Sequence, residues 1–238
     1  AIFPSAFSET GISKLHRLAP LFQGLVARYS FESHSDALDT VDDASGNGHT
    51  ATLFGAPSFS DLAIEGTSLR VDASTTSAGM RADDDTLLVA PLSSFTIAFR
   101  FSAFSPPNDA QPLDLLSIAN GAGIVIRQRL AGDGTISIDT TFADESDAAN
   151  TVSFTSIPPS EAHNFAWVFD RDANTMTGYF DGVAVLHIDP STLGDLGNDG
   201  GLVVGSATAP FAGLLDDVRL YKRALSPTDI AALAIVGG

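Results

Sequence analysis

Between residues 42 and 55 the chain reads DDASGNGHTATLFG. Two carboxylates run into Ser45-Gly46-Asn47-Gly48, and the sequence turns apolar again at Ala51, Leu53 and Phe54. Glycine and asparagine tolerate positive φ, so a tight turn accounts for part of this stretch. A turn alone does not call for Asp43 at its entrance. Carboxylates, a side-chain amide and glycine-exposed carbonyls so close together are also the donor set of a hard cation such as Ca2+. Both readings stand at this level.

Other chemistry-bearing residues are more scattered. Asp83 to Asp85 form a short acidic run that reads as a solvated loop before it reads as a second cation site. Arg127 and Arg129 alternate in IVIRQRL, which suits either an ordinary solvent-facing sheet or a polar face gripping an acidic polysaccharide. Trp167 alternates with Phe165 and Phe169 in NFAWVFD, the pattern of a core-facing stripe. Tyr179 and Tyr221 are weak candidates for ligand contacts, since tyrosine keeps a polar tip wet. The five histidines show no metal-ligand spacing.

The sequence leans against catalysis. Glycoside hydrolysis normally takes two carboxylates flanking the scissile bond, and the five glutamates are dispersed at Glu9, Glu32, Glu65, Glu145 and Glu161. There is no thiol, no Gly-x-Ser-x-Gly elbow and no glycine-rich phosphate loop. Two acids distant in sequence can still meet in the fold, so an enzyme stays open as an alternative at this level.

These residues must be held by a framework, and composition bounds it. The 238 residues are 44% hydrophobic, enough for a real core. The 29 acidic residues against 12 basic give a net charge of −17. Such a field repels phosphate backbones and anionic headgroups, so nucleic acid and membrane surfaces are poor partners. No run approaches the roughly 20 apolar residues of a membrane span. The first residues, AIFPSAFSET, lack the basic start and apolar core of a signal peptide, as in a mature or excised form. Zero cysteines rules out disulfides and is compatible with secretion without requiring it.

Residues 1–23 read as an arm or linker remnant, with Ile12, Leu15 and Leu18 at helical spacing ahead of Pro20. From residue 24 to 238 the pattern is β: LVARYSFE, SFTIAFRFSAF, GIVIRQRL, GTISIDTTF, NFAWVFD, TMTGYFDG and LLDDVRLYKR are among a dozen short runs. Turn signals such as GDG and DRDANT separate them. That spacing predicts one all-β domain, an antiparallel two-sheet sandwich or jelly roll. A single later helix is expected in LSPTDIAALAIV, with Ser226 as N-cap and Pro227 in the first helical position.

Three stretches, in order, resemble the laminin-G-like domains of the concanavalin A-like lectin/glucanase superfamily. They are LVARYSFE followed by DDASGNGHTATLFG, then HNFAWVFDRDANTMTGYFDGVAV, then FAGLLDDVRLYKRALSPTDIAAL. The resemblance implies a jelly roll and, for many members, one Ca2+ where the first loop meets the last strand. Carried onto this sequence, Asp43, Asn47 and His49 would supply oxygens from the loop and Asp216 would reach in from the last strand. Asp42 and Glu32 are neighbouring substitutes. Along LLDDVRLY, strict alternation puts Asp216 on a face with Leu214, Val218 and Leu220, where an acid needs a partner. The glucanases' Glu-x-Asp-x-Glu strand does not occur here. The expected function is a non-catalytic recognition module for a glycan or another extracellular protein, secreted, at the cell surface or periplasmic. A polysaccharide hydrolase or lyase and a structural spacer are the alternatives, and the oligomeric state is open.

Overall fold

The strand segments of this chain alternate between small or aromatic apolar residues and polar ones, and each buries its apolar face against a second sheet. The structure, a computed structural model, describes residues 19–35, 38–61, 66–83, 93–104, 111–120, 122–146, 148–194, 196 and 201–236. The helical spacing at residues 12–18 lies outside them, as do Asp84 and Asp85. A short 3-10 turn, Ala19–Phe22, precedes the first strand.

Seventeen strands follow among the described residues. The first seven are β1 (Leu25–Tyr29), β2 (His34–Ser35), β3 (Thr40–Val41), β4 (Ala51–Gly55), β5 (Ser58–Ser60), β6 (Ser68–Val71) and β7 (Ala78–Ala82). Then come β8 (Phe95–Ala103), β9 (Leu113–Asn120), β10 (Ala122–Leu130), β11 (Ile136–Ala143) and β12 (Ala149–Ile157). The last are β13 (Ala162–Asp170), β14 (Thr175–Phe180), β15 (Val183–Ile188), β16 (Leu202–Ser206) and β17 (Gly213–Tyr221). One sheet runs β15-β14-β13-β8-β17-β6-β5, with β1 also on β17; the other runs β12-β11-β10-β9-β16-β7-β4-β3-β2. All strand pairs within the two sheets are antiparallel. This is the expected two-sheet sandwich.

The interior is aromatic and branched-aliphatic. Phe99, Phe101, Phe142, Phe165, Trp167 and Leu215 are among the side chains that fill it. Trp167 is 1% exposed, lies edge-on to Phe142 at 5.0 Å, and donates its indole N–H to Thr140 Oγ1 at 2.9 Å. It is a core residue, as its alternation indicates. The buried Gln128 is fully partnered: it donates to the Phe104 carbonyl (2.6 Å) and accepts from Ala212 N (2.9 Å).

Helix α1 (Pro227–Val236) covers the outer face of the eight-stranded sheet. Ser226 Oγ accepts from Asp229 N and Asp229 accepts from Ser226 N, both at 3.2 Å, a reciprocal capping box. Ile230 and Leu233 pack on Ala98, Ala166, Tyr179 and Tyr221, and Leu21 from the 3-10 turn joins the same cluster. The shortest strands, β2, β3 and β5, hold two or three residues each. They escape sequence alternation because they are shorter than its period can register.

Candidate functional site

The loop after β3 folds around one carboxylate. Asp43 Oδ1 accepts from Arg28 N (2.9 Å) and Ser45 N (2.8 Å); Oδ2 accepts from Ser45 Oγ (2.8 Å) and His49 N (3.1 Å). Four donors meet the roughly four acceptor positions that a carboxylate offers. Burial opposes its ionisation, yet these hydrogen bonds hold Asp43 below the usual carboxylate value. Asn47 turns its amide nitrogen onto the carbonyls of Leu25 (2.9 Å) and Val26 (2.8 Å). The His49 carbonyl accepts from the Tyr29 hydroxyl at 2.7 Å. Gly46 and Gly48 take φ of +84° and +91°, which the turn requires. The three loop residues converge, and each bonds back onto β1 or its own loop.

Asp216 sits elsewhere, at a seam in the eight-stranded sheet. The first residues of β17, Gly213 to Leu215, pair with β6, and its last four, Val218 to Tyr221, pair with β1. At the changeover β17 bulges against β8, and Asp217 adopts φ +47°. The bulge breaks strict alternation: Leu215, Val218 and Leu220 face the interior, a three-residue step where two is expected. Leu214 therefore does not share their face, contrary to the sequence pattern.

The two adjacent acids differ in their surroundings. Asp217 is clamped by Arg28 Nε (2.6 Å), Arg219 Nε (3.0 Å) and Arg219 Nη2. Burial would raise its pKa, but Arg219 and then Arg28 hold it down. Asp216 is 3% exposed and takes a backbone N–H from Asp217 at 2.6 Å. Burial, and next the charge of Asp217, push its carboxyl up to about 7; Arg100 pulls the other way and Glu32 adds to the rise.

Around this seam lies an open groove of about 360 Å3, lined by Arg28, Ser30, Glu32, Gly66, Asp216, Asp217 and Arg219. Glu32 is held across it by Thr67 N (2.8 Å on Oε1). Gly66, at φ +57°, leaves the space that Glu32 fills: a Cβ there would stand 2.0 Å from Oε1. Sequence reading placed Asp216 with the Asp43 loop and kept Glu32 as a substitute; the structure puts Asp216 and Glu32 on one groove. Among the described residues, no three His, Asp or Glu side chains form a group able to hold a metal ion by themselves.

The outer face of the nine-stranded sheet carries the arginine pair. Arg127 Nε donates to Asp114 (2.8 Å) and Arg129 Nε to Asp139 (3.0 Å), with the arginine side chains 40% and 53% exposed. Register places Arg127 beside Asp139 and then Ser153, and Val125 beside Thr141 and Thr151. The result is a polar, solvent-open surface on a rigid sheet. Tyr179 and Tyr221 lie on the other sheet beneath α1, 7% and 0% exposed, and burial raises the pKa of both. Asp83 is exposed beside Arg81.

Comparison with known proteins places this geometry. A family profile, Laminin_G_3, described as the concanavalin A-like lectin/glucanases superfamily, matches residues 74–231. No curated protein sequence matches the chain. Among solved structures, it is similar to the binding domain of Paraclostridial Mosquitocidal Protein 1 (TM-score 0.71, 17% identity, covering 90% of this chain and 52% of that one). It is also similar to the Botulinum Neurotoxin serotype G binding domain (0.71, 13%, covering 89% and 51%). The chain thus spans about half the length of these toxin domains. Domain 4 of a GH43 extracellular arabinanase from Geobacillus stearothermophilus, solved in complex with arabinotriose, matches over 98% of its own length and 88% of this chain (0.63, 19%).

Proposed function

The chain belongs to the concanavalin A-like lectin/glucanases superfamily, and we propose that it is a non-catalytic recognition module working outside the cytoplasm on a glycan or another extracellular protein. The observation that carries this reading is the outer face of the nine-stranded sheet. Arg127 and Arg129 are pre-set there by Asp114 and the largely buried Asp139, beside the hydroxyl side chains of Thr141, Thr151 and Ser153, and both arginines remain open to water. Fixing donors in advance lowers the entropy cost of gripping a polar ligand. Of the similar solved structures, two are binding domains of toxins and one, domain 4 of an arabinanase, was solved with arabinotriose. The acidic net charge disfavours nucleic acid and anionic lipid as partners. No helix of the described residues is long and apolar enough to cross a membrane.

A calcium ion belongs to the same proposal. The Asp43 carboxylate fits one poorly, because N–H and O–H donors already take its acceptor positions. The seam fits better. Asp216 and Glu32 each keep acceptor capacity there, and burial first, then the Asp217 charge beside it, disfavour an ionised Asp216 that has no cation to face. Two carboxylates with backbone carbonyls and water would hold the ion, which would stitch β17 to the segments that follow β1 and precede β6.

The test is a glycan array together with extracellular-matrix protein panels, run on the wild type and on Arg127→Ser/Arg129→Ser. Saturable binding that weakens at least tenfold in the double variant, with no new reducing ends released, is the expected result. Binding untouched by the double variant removes this face from the proposal, and turnover of a polysaccharide removes the word non-catalytic.

A further inference from the structure

Both sheets run out along one side of the sandwich: β2 ends the nine-stranded sheet and β5 ends the eight-stranded one. Between these edges lies an open groove of about 500 Å3, bordered by His34, Asp39, Leu53, Phe54, Pro57 and Phe59. That size is in the range of small-ligand sites, roughly 300–1,000 Å3. It shares none of these residues with the arginine face or with the seam groove.

The walls of the groove are fixed. The rings of His34 and Phe59 stack with centroids 3.6 Å apart and planes 16° from parallel, tying one sheet edge to the other. His34 Nδ1 lies 3.1 Å from the Phe31 carbonyl, which sets its ring plane. Phe54 is half-buried and stands on Gly79 of β7: a Cβ at Gly79 would come within 2.8 Å of its ring. Phe54 pairs with Gly79 across the β4–β7 ladder and is outside the interior cluster, so its apolar surface faces the groove. Asp39 lies alongside, at φ +51°, its carbonyl accepting from Leu53 N at 2.7 Å. Its exposed carboxylate takes no hydrogen bond from the described residues.

We propose that this edge groove is a binding subsite for a neutral saccharide. A sugar ring presents a patch of C–H groups and a rim of hydroxyl donors, and the groove supplies the matching halves: half-wet apolar faces at Phe54 and Phe59, and an unspent acceptor at Asp39. Apolar walls with a small number of placed polar groups are the usual make-up of such sites. Asp39 and the net charge of −17 select against uronate or sulfated sugars. An extended peptide gains little from the two sheet-edge strands, β2 and β5, which are only two and three residues long and offer few ladder groups. The inference deepens the glycan reading above and rests on it.

The experiment is titration calorimetry with neutral cello-, xylo-, malto-, galacto- and arabino-trisaccharides and with a uronic-acid trisaccharide, followed by hydrogen exchange with and without the best binder. Expected are binding of at least one neutral sugar, none of the uronate, and slowed exchange at residues 34–35, 38–41 and 53–59 and not on the arginine face. Asp39→Ala should weaken binding at least tenfold, with only the small drop in Tm that alanine brings at a φ of +51°. Phe59→Ala should abolish it, and Phe54→Ser provides a second ring deletion that leaves the His34–Phe59 stack in place. Sugar binding that ignores Asp39→Ala and Phe54→Ser but responds to Arg127→Ser/Arg129→Ser overturns the edge groove and leaves the glycan reading intact. Binding of a protein with no sugar bound at all overturns both the groove and the glycan half of that reading.

Discussion

Asp43 and Asp216 are both carboxylates set against β strands of the same sheet, yet their environments push them in opposite directions. Asp43 collects four donors within one loop and is held below its usual pKa. Asp216 collects a backbone N–H, faces Asp217 and Glu32, and is pushed up to about 7. Burial raises both; the number of donors decides the outcome. A saturated carboxylate organises its own chain, and an under-satisfied one has capacity left for something that arrives from outside. Asp144 repeats the saturated pattern. The N–H of Gly194, the Ser146 hydroxyl and the N–H groups of Ala148 and Ser146 hold it at about 2.

The sharpest way to break this comparison is to remove the saturated member. Asp43→Ala leaves three backbone donors without their acceptor and the Ser45 hydroxyl with the Val26 carbonyl alone, so a loss of about 3 kcal/mol is expected in urea unfolding. A loss below ~1 kcal/mol would mean the loop does not need its acid. Calcium is the next largest effect. At about a hundred times its dissociation constant, an ion bound only to the folded state adds roughly 2.7 kcal/mol. The gain should appear in metal-stripped wild type and vanish in Asp216→Asn. If it vanishes in Asp43→Asn while Asp216→Asn keeps it, the loop holds the ion and the comparison inverts.

A third test reads pH in metal-free buffer. The folded pKa of Asp216 lies above the unfolded value, so its contribution to stability falls as pH rises from about 4 to about 7. Asp216→Asn should therefore stabilise the protein at pH 8, by about 1 kcal/mol after allowing for water in the groove, and bring no gain at pH 4. For Asp43 and Asp144 the folded values are depressed. Their contribution is present above about pH 4 and fades as pH drops toward 2, so Asp144→Asn should flatten the acid limb of a Tm profile. The smallest expected effect is Asn47→Ala, ~1 kcal/mol, for two amide hydrogen bonds at an exposed position. Equal pH profiles for Asp216→Asn and wild type would show that the two acids are not distinguished after all.

Much of the framework is legible in the chain. Alternation in SFTIAFRFSAF and NFAWVFD gives β8 and β13 and puts Trp167 inside, and the Ser-Pro-Thr-Asp start gives the capping box of α1. The Asp43 turn is legible too, because all its partners lie within two short segments. The seam groove is not. Glu32, Gly66 and Asp216 come from three separate stretches, and nothing local says they meet. The bulge is hidden for another reason: its positive φ falls on Asp217, where no glycine marks it. A period-two count runs straight through it and assigns Leu214 the wrong face. The edge groove is hidden because β2 and β5 are too short to show a period.

Arg223 ties the entry and exit of the sandwich into one knot. Its guanidinium donates to the carbonyls of Pro20 (2.7 Å) and Gln23 (2.7 Å) and meets Asp229 of α1 at 3.1 Å, just where Leu25 of β1 faces Tyr221 of β17. Tension applied to the chain ahead of Leu25 and beyond Tyr221 would therefore act at one corner and across the β1–β17 ladder. The rungs would be loaded singly, as in opening a zipper, while the broad sheets stayed out of the line of force. Arg223 and the cap of α1 are the first catch such a pull would meet, and the ladder behind them would peel in order from Leu25 to Tyr29.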